Sequence, residues 1–171
     1  MCRFQLTADA LANWKRVGDL FTAGPFYAVK GRLAEVLKDF DLGGGGLVEF
    51  PIYEADKTTR LPGPFYFLNF GAVKDSFVPS ESRKLRPRRT MERDGYDLWA
   101  TYDLEDGDIA LTTAAFEGAD LWHERKLENR LFMSGRLHDA IVAATVKDNF
   151  QFAQAHTIDT RGMQSDRHAA L

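Results

Sequence analysis

The chain has 171 residues, 44% of them apolar, thirteen phenylalanines, a net charge of −3 and a pI near 5.8. A length of this order suits one domain, which buries roughly 70% of the surface its unfolded chain exposes. The charge excludes a global positive field of the kind that draws nucleic acid or anionic membrane. Cys2 stands alone and cannot close an internal disulfide, which fits a reducing compartment.

Charged residues interrupt the first 21 positions, so no secretion signal is expected and the segment is read as retained. No run approaches the roughly eighteen apolar residues of a membrane span, and a cytoplasmic chain is expected. Thr7 or Asp9 can cap a short helix in which Leu11 and Trp14 share a face, and Gly24-Pro25 breaks the chain before the first strand signal. Phe26, Tyr27 and Val29 predict that strand, leading into Gly31-Arg32-Leu33, after which Leu33, Val36, Leu37 and Phe40 fall at helical spacing. The glycines at 43 to 46 close that helix and predict a mobile connection. Residues 47 to 53 read as a strand with Pro51 near an edge or end, and residues 61 to 70, rich in aromatics, as a buried strand. Apolar periodicity then disappears from residue 75 to 93, predicting a long surface loop.

Residues 96 to 102 and 108 to 113 both favour strand, and Glu105-Asp106-Gly107 supplies the turn of a hairpin between them. Residues 119 to 127 are expected to turn around Asp120 and Trp122, which with Phe132 reads as a core anchor. Leu131, Phe132 and Met133 then run into Gly135-Arg136-Leu137, with Leu137, Ala140, Ile141 and Ala144 at helical spacing and Ser134 as N-cap. The Gly-Arg-Leu word thus recurs in a matching frame, predicting a strand-turn-helix-strand unit used twice. Lys147-Asp148-Asn149 is turn material, residues 150 to 158 return to strand, and residues 159 to 171 form a flexible tail. The expected fold is a single α+β domain over 1 to 158: a mixed, largely antiparallel sheet with a few amphipathic helices.

Catalytic templates fit poorly. His123-Glu124 begins like a zinc-protease helix, but Leu127 stands where the second histidine belongs. The four histidines are widely separated, Ser134 has Phe132 where a nucleophile elbow needs a glycine two residues ahead, and the glycine run lacks the Lys-Ser or Lys-Thr of a phosphate cradle. Arg32 and Arg136, at matching positions, are expected to pair with a carboxylate or to pack their stems beside the sheet.

Two charge blocks adjoin. Arg83, Lys84, Arg86, Arg88, Arg89 and Arg93 are opposed only by Glu92, whereas residues 94 to 120 carry eight acids and no Lys or Arg. The blocks can neutralise each other. Alternatively Asp97, Asp103, Glu105, Asp106 and Asp108, with Trp99 or Tyr102 as aromatic anchor, form a surface that steers a basic partner. The basic block has no interleaved aromatics, which argues against nucleic acid as a partner.

The stretch Gly118-Ala119-Asp120-Leu121-Trp122, followed by Leu131-Phe132-Met133-Ser134-Gly135-Arg136-Leu137 and a Phe-rich segment, resembles the C-terminal signature of a bacterial immunity-protein family of polymorphic toxin systems, immunity protein group eleven, formerly a domain of unknown function. Residues 26 to 42 resemble its earlier strand and helix, and residues 75 to 83, with Ser80 or Ser82, its Asp-then-Ser loop. The chain departs from the family in its long basic loop and in Lys30, where a serine is usual.

The resemblance implies an interaction protein rather than an enzyme: a cytoplasmic inhibitor that occludes one cognate toxin, delivered in interbacterial competition such as type VI secretion. It implies no cofactor, metal or membrane, and leaves a homo-oligomer open. The rival expectation is a small enzyme whose pocket assembles Arg32, Arg136, His123 and Glu124.

Overall fold

A computed structural model of the protein describes residues 4–5, 14–91, 95–146 and 150–159. The expected cap at Thr7 or Asp9, the position of Leu11, the 147 to 149 turn, Arg93, Asp94 and the segment after Asp159 lie outside the described residues. The fold is α+β, with mostly antiparallel strand pairing and two α-helices among the described residues. Its residues divide into two compact units that interleave along the chain. The first draws on Met1–Ala72, Ala119–Leu121 and Met133–Phe150, the second on Val73–Gly118, Trp122–Phe132 and Gln151–Leu171.

Short strands open and close the first stretch of the first unit: β1 (Phe4–Gln5), β2 (Leu20–Ala23), β3 (Phe26–Lys30), β4 (Gly46–Glu49), β5 (Ile52–Tyr53) and β6 (Phe65–Asn69). Four of them form an antiparallel sheet in the order β2-β3-β6-β4, and β1 pairs with β5 in parallel. Pairing aligns Phe21, Ala28, Phe67 and Val48 in one row and Leu20, Val29, Tyr66 and Glu49 in the next, so alternate rows face opposite sides. On one side Val29 and Leu68 pack with Leu33, Ala34 and Leu37 of the Gly31–Leu37 helix and with Leu137 and Ile141 of the Gly135–Ala143 helix. On the other, Ala28 and Phe65 pack with Phe50, Ile52 and Leu61, and Trp14 meets Phe21 and Phe65 edge to face at 5.4 Å. A sheet covered on both faces needs apolar residues at consecutive positions, which is why β6 reads Phe-Tyr-Phe-Leu.

Two readings of this half change. The expected strand over 47 to 53 is broken at Phe50-Pro51 into β4 and β5, because proline has no N–H for the ladder. The glycine run is not a mobile connection throughout. A side chain at Gly45 would collide with the Asn69 carbonyl oxygen, and one at Gly43 with the Ala72 Cβ, so these glycines permit close backbone packing.

In the second unit lie β7 (Val73–Lys74), β8 (Leu85–Met91), β9 (Tyr96–Thr101), β10 (Ala110–Thr112) and β13 (His156–Ile158). β11 (Leu121–Glu124) and β12 (Leu131–Met133) begin or end in the first unit's segments. The basic segment expected to be a loop is strand β8, paired antiparallel with β9. Residues 96 to 102 and 110 to 112 are extended as expected, but they do not form a hairpin with each other. β10 pairs in parallel with β13 instead. The expected turn does form, with the Asp108 N–H donating to the Glu105 carbonyl and Gly107 at φ +78°, yet it joins strands of different sheets. Within the 119 to 127 segment, expected to turn, Leu121–Glu124 form strand β11, which runs parallel to β7. Of the strand expected over 150 to 158, only His156–Ile158 is regular.

Among the described residues, every buried side-chain nitrogen and oxygen has a hydrogen-bond partner, and no helix is long and apolar enough to cross a membrane.

Candidate functional site

The acid-rich segment after β9 is held by bonds the sequence does not display. The Tyr102 N–H donates to the Lys84 carbonyl at 3.3 Å, and the Arg83 N–H to the Asp108 carbonyl at 2.7 Å, fastening both ends of the turn to the start of β8. The Lys84 ammonium lies in its centre: it donates to the Asp103 carbonyl at 2.7 Å and to Glu105 at 2.6 Å, and lies 3.1 Å from Asp108. Lys84 adopts φ +53°, a left-handed conformation unfavourable for an L-residue, and that backbone geometry accompanies the convergence of its side chain on the turn.

Asp108 is 2% exposed, accepts from the Glu105 N–H at 2.9 Å and pairs with Arg83 at 3.4 Å. The Glu105 N–H, with Lys84 and Arg83, holds its carboxyl below the ordinary aspartate range against the opposing effect of burial. The hydrogen bond to Glu105 correspondingly raises the Lys84 ammonium, again against burial. The charge blocks therefore neutralise each other in part: Arg83 and Lys84 are the cations that Glu105 and Asp108 meet.

The remaining acids face outward. Asp97 and Asp103 are exposed, Asp106 is exposed and accepts from the Gln154 N–H at 2.8 Å, and the Glu105 side chain retains 79% of its exposure despite its ion pair. Tyr102 is 48% exposed. Trp99 is half-buried, and its N–H and carbonyl bond the Lys126 carbonyl and the Glu128 N–H. Tyr102, Asp103, Glu105 and Asp106 thus share one anchored turn, Asp108 is its internal fastening, and Asp97 and Trp99 stand on β9.

The residues of the rival pocket each have a local partner. In the first unit, Arg32 donates to the Ala144 carbonyl at the end of the second helix at 3.0 Å, while Arg136 binds both Asp120 oxygens at 2.9 Å. Asp120 also accepts from the Ser134 hydroxyl at 2.5 Å and the Asp41 N–H at 3.2 Å. Burial raises the Asp120 carboxyl, but Ser134, Arg136 and Asp41 outweigh it and leave it below the ordinary range. Ser134 caps its helix as expected, accepting from the Leu137 N–H.

In the second unit, the His123 Nδ1 meets the Arg130 carbonyl at 2.7 Å. Glu124 is 2% exposed and accepts four bonds: from the Ser76 and Phe77 N–H groups, the Ser76 hydroxyl and the Trp122 indole. Trp122 is buried, stacks on Phe132 at 5.9 Å, and carries the Lys74 ammonium 3.7 Å from its ring centroid. Sequence reasoning named Glu124 for a pocket but read 119 to 127 as a turn, so the donors that Ser76, Phe77 and Trp122 bring to it went unseen. The cluster's one signal was the spacing of Trp122 and Glu124, which puts both on one strand face. Among the described residues, no group of three or more His, Cys, Asp and Glu is placed to hold a metal ion.

No protein-family model, curated protein or solved structure matches this chain.

Proposed function

We propose that this chain is an immunity-type inhibitor that binds one cognate toxin in the cytoplasm of the producing cell and blocks its active surface. The observation that carries the reading is the anchored turn after β9. Lys84 and the buried Asp108 fix its backbone, while Tyr102, Asp103, Glu105 and Asp106 project outward. A rigid surface with an aromatic anchor among carboxylates suits a basic protein partner, since little ordering entropy is lost on docking and complementary charge speeds encounter. An interface of roughly 1,200 to 2,000 Å² in total would suffice for stable occlusion. The resemblance of Gly118 to Trp122 and Leu131 to Leu137 to an immunity-protein signature points the same way.

The experiment is co-expression with the product of the adjacent gene. A stoichiometric complex and loss of toxicity are expected, and reversal of charge at Asp97, Asp103, Glu105 and Asp106 should weaken that complex at least tenfold in a chain that still folds. A complex indifferent to those reversals would remove the turn from the interface. Turnover of a small molecule, abolished by replacing His123 or Glu124 in a chain that still folds, would replace the inhibitor reading with the enzyme.

A further inference from the structure

We infer that the groove beside the β8–β9 ribbon is a receptor for a phosphate monoester. It encloses about 270 Å³ and is lined by Arg86, Arg88 and Arg130 with Thr101, Glu128 and Asn129. Among the described residues the lining sets three guanidiniums against one carboxylate, a surplus of two positive charges. Its setting is local to the second unit and independent of the acidic turn's proposed role.

The arginines are positioned by the fold. The β8–β9 register shifts between Pro87 and Arg89, making Arg88 the extra residue of a bulge, a device that re-aims a side chain. Asn129 takes φ +55°, a left-handed conformation that asparagine tolerates, between Glu128 and Arg130. The Arg130 Nε donates to the Thr101 hydroxyl at 2.6 Å, and the Arg88 Nε to Glu128 at 2.9 Å. Both bonds use Nε and leave the terminal amino groups of each guanidinium for a ligand. Arg86 is exposed, and among the described residues neither it nor Arg130 has a carboxylate partner.

The charge selects the ligand. A carboxylate brings a single negative charge, and Glu128 already supplies one. A phosphodiester also brings one charge per phosphate, and the lining contains no aromatic on which a base could stack. A phosphate monoester brings about −1.5 to −2 at neutral pH and three acceptor oxygens, matching the terminal donors of Arg86, Arg130 and Arg88. Its source can be inorganic phosphate, a nucleotide or a phosphorylated side chain.

The test is calorimetric titration of the full chain with inorganic phosphate, adenosine monophosphate and O-phosphoserine, beside a single-stranded oligonucleotide lacking terminal phosphates. Saturable one-to-one binding of at least one of the three dianionic phosphates is expected, and the tightest identifies the source. Arg86→Ala, at an exposed side chain without an ion pair, should weaken binding about tenfold, Glu128→Gln should tighten it severalfold, and affinity should fall below about pH 6 as the monoester gains a proton. Absence of saturable binding, or binding unchanged in Arg86→Ala, overturns the inference. So does an oligonucleotide that outcompetes every monoester, which would make the groove a nucleic-acid surface.

Discussion

Asp19 and Asp120 hold the same place before two different helices. The Lys30 N–H donates to the Asp19 carbonyl at 2.9 Å, and the Ser134 N–H to the Asp120 carbonyl at 2.8 Å; each donor residue immediately precedes its helix. The carboxylates then diverge. Asp19 accepts directly from the Leu33 N–H at 3.2 Å, whereas Asp120 reaches the matching Leu137 N–H through the Ser134 hydroxyl. Where Ser134 stands before the second helix, Lys30 stands before the first, with its ammonium 3.8 Å from the Asp19 carboxylate.

The difference predicts opposite outcomes at two glycines of the same sequence word. A Cβ at Gly31, which has φ +57°, would lie 2.7 Å from Asp19 Oδ1, whereas one at Gly135 meets nothing within 4 Å. Gly31→Ala should cost roughly 1–2 kcal/mol or more from the left-handed conformation alone. Gly135→Ala should be neutral or stabilise by up to about 1 kcal/mol. Urea midpoints at unchanged slope measure both.

Removing the acceptor of the buried second-unit network should be severe. Glu124→Ala leaves the Trp122 indole, two backbone N–H groups and the Ser76 hydroxyl without their carboxylate, each stranded donor costing roughly 1–3 kcal/mol. A loss above about 3 kcal/mol in urea unfolding is expected. A loss below about 1 kcal/mol would mean that water or repacking satisfies the donors.

The two described α-helices and strands β3, β4 and β6 were legible because their signals are local, whereas β2 at Leu20–Ala23 was not read from the sequence. Leu33, Val36 and Leu37, and Leu137 and Ile141, recur at helical spacing, and Ser134 announces its cap. β8 was not legible: Arg-Pro-Arg-Arg has neither alternation nor apolar content, and only its pairing with β9 makes it a strand. β11 was hidden for the opposite reason, since its buried Glu124 reads as polar until its four donors are seen. The charge blocks were plain in the sequence. Their partition was not, because Lys84 meets Glu105 and Asp108 across about twenty residues of chain, and the arginine groove adds Arg130 from a separate turn.

Stability should decline in acid. Asp108 and Asp120 titrate below the ordinary range in the folded chain, so the unfolded chain takes up protons first. Their contribution is complete above the unfolded value near 4 and is lost as pH falls from there through the folded values. Lys84 works at the other limit: its raised value gives a contribution present below about 10.5 and lost as pH rises through the folded value. Urea midpoints from pH 3 to 7 should show the acid slope, and Asp120→Asn should flatten it.

Lys84 joins three acceptors of the acidic turn through one ammonium. Lys84→Met keeps the stem but removes three contacts, to the Asp103 carbonyl, Glu105 and Asp108. Amide exchange from Asp103 to Asp108 should accelerate about tenfold or more while that of the Gly135–Ala143 helix stays unchanged. Equal acceleration in both would mean global destabilisation in place of a loosened turn.

The alternation of the chain between its two units governs the order in which either can be completed. A ribosome that has released residues through Gly118 has delivered Val29, Leu33 and Leu37 but not Leu121, Leu137 or Ile141, which share their core. Any single backbone cut between residues 73 and 150 separates partners of one core or the other, so neither half can be expressed alone by trimming an end. A permuted or split chain would have to be rejoined at two crossings to recover either one.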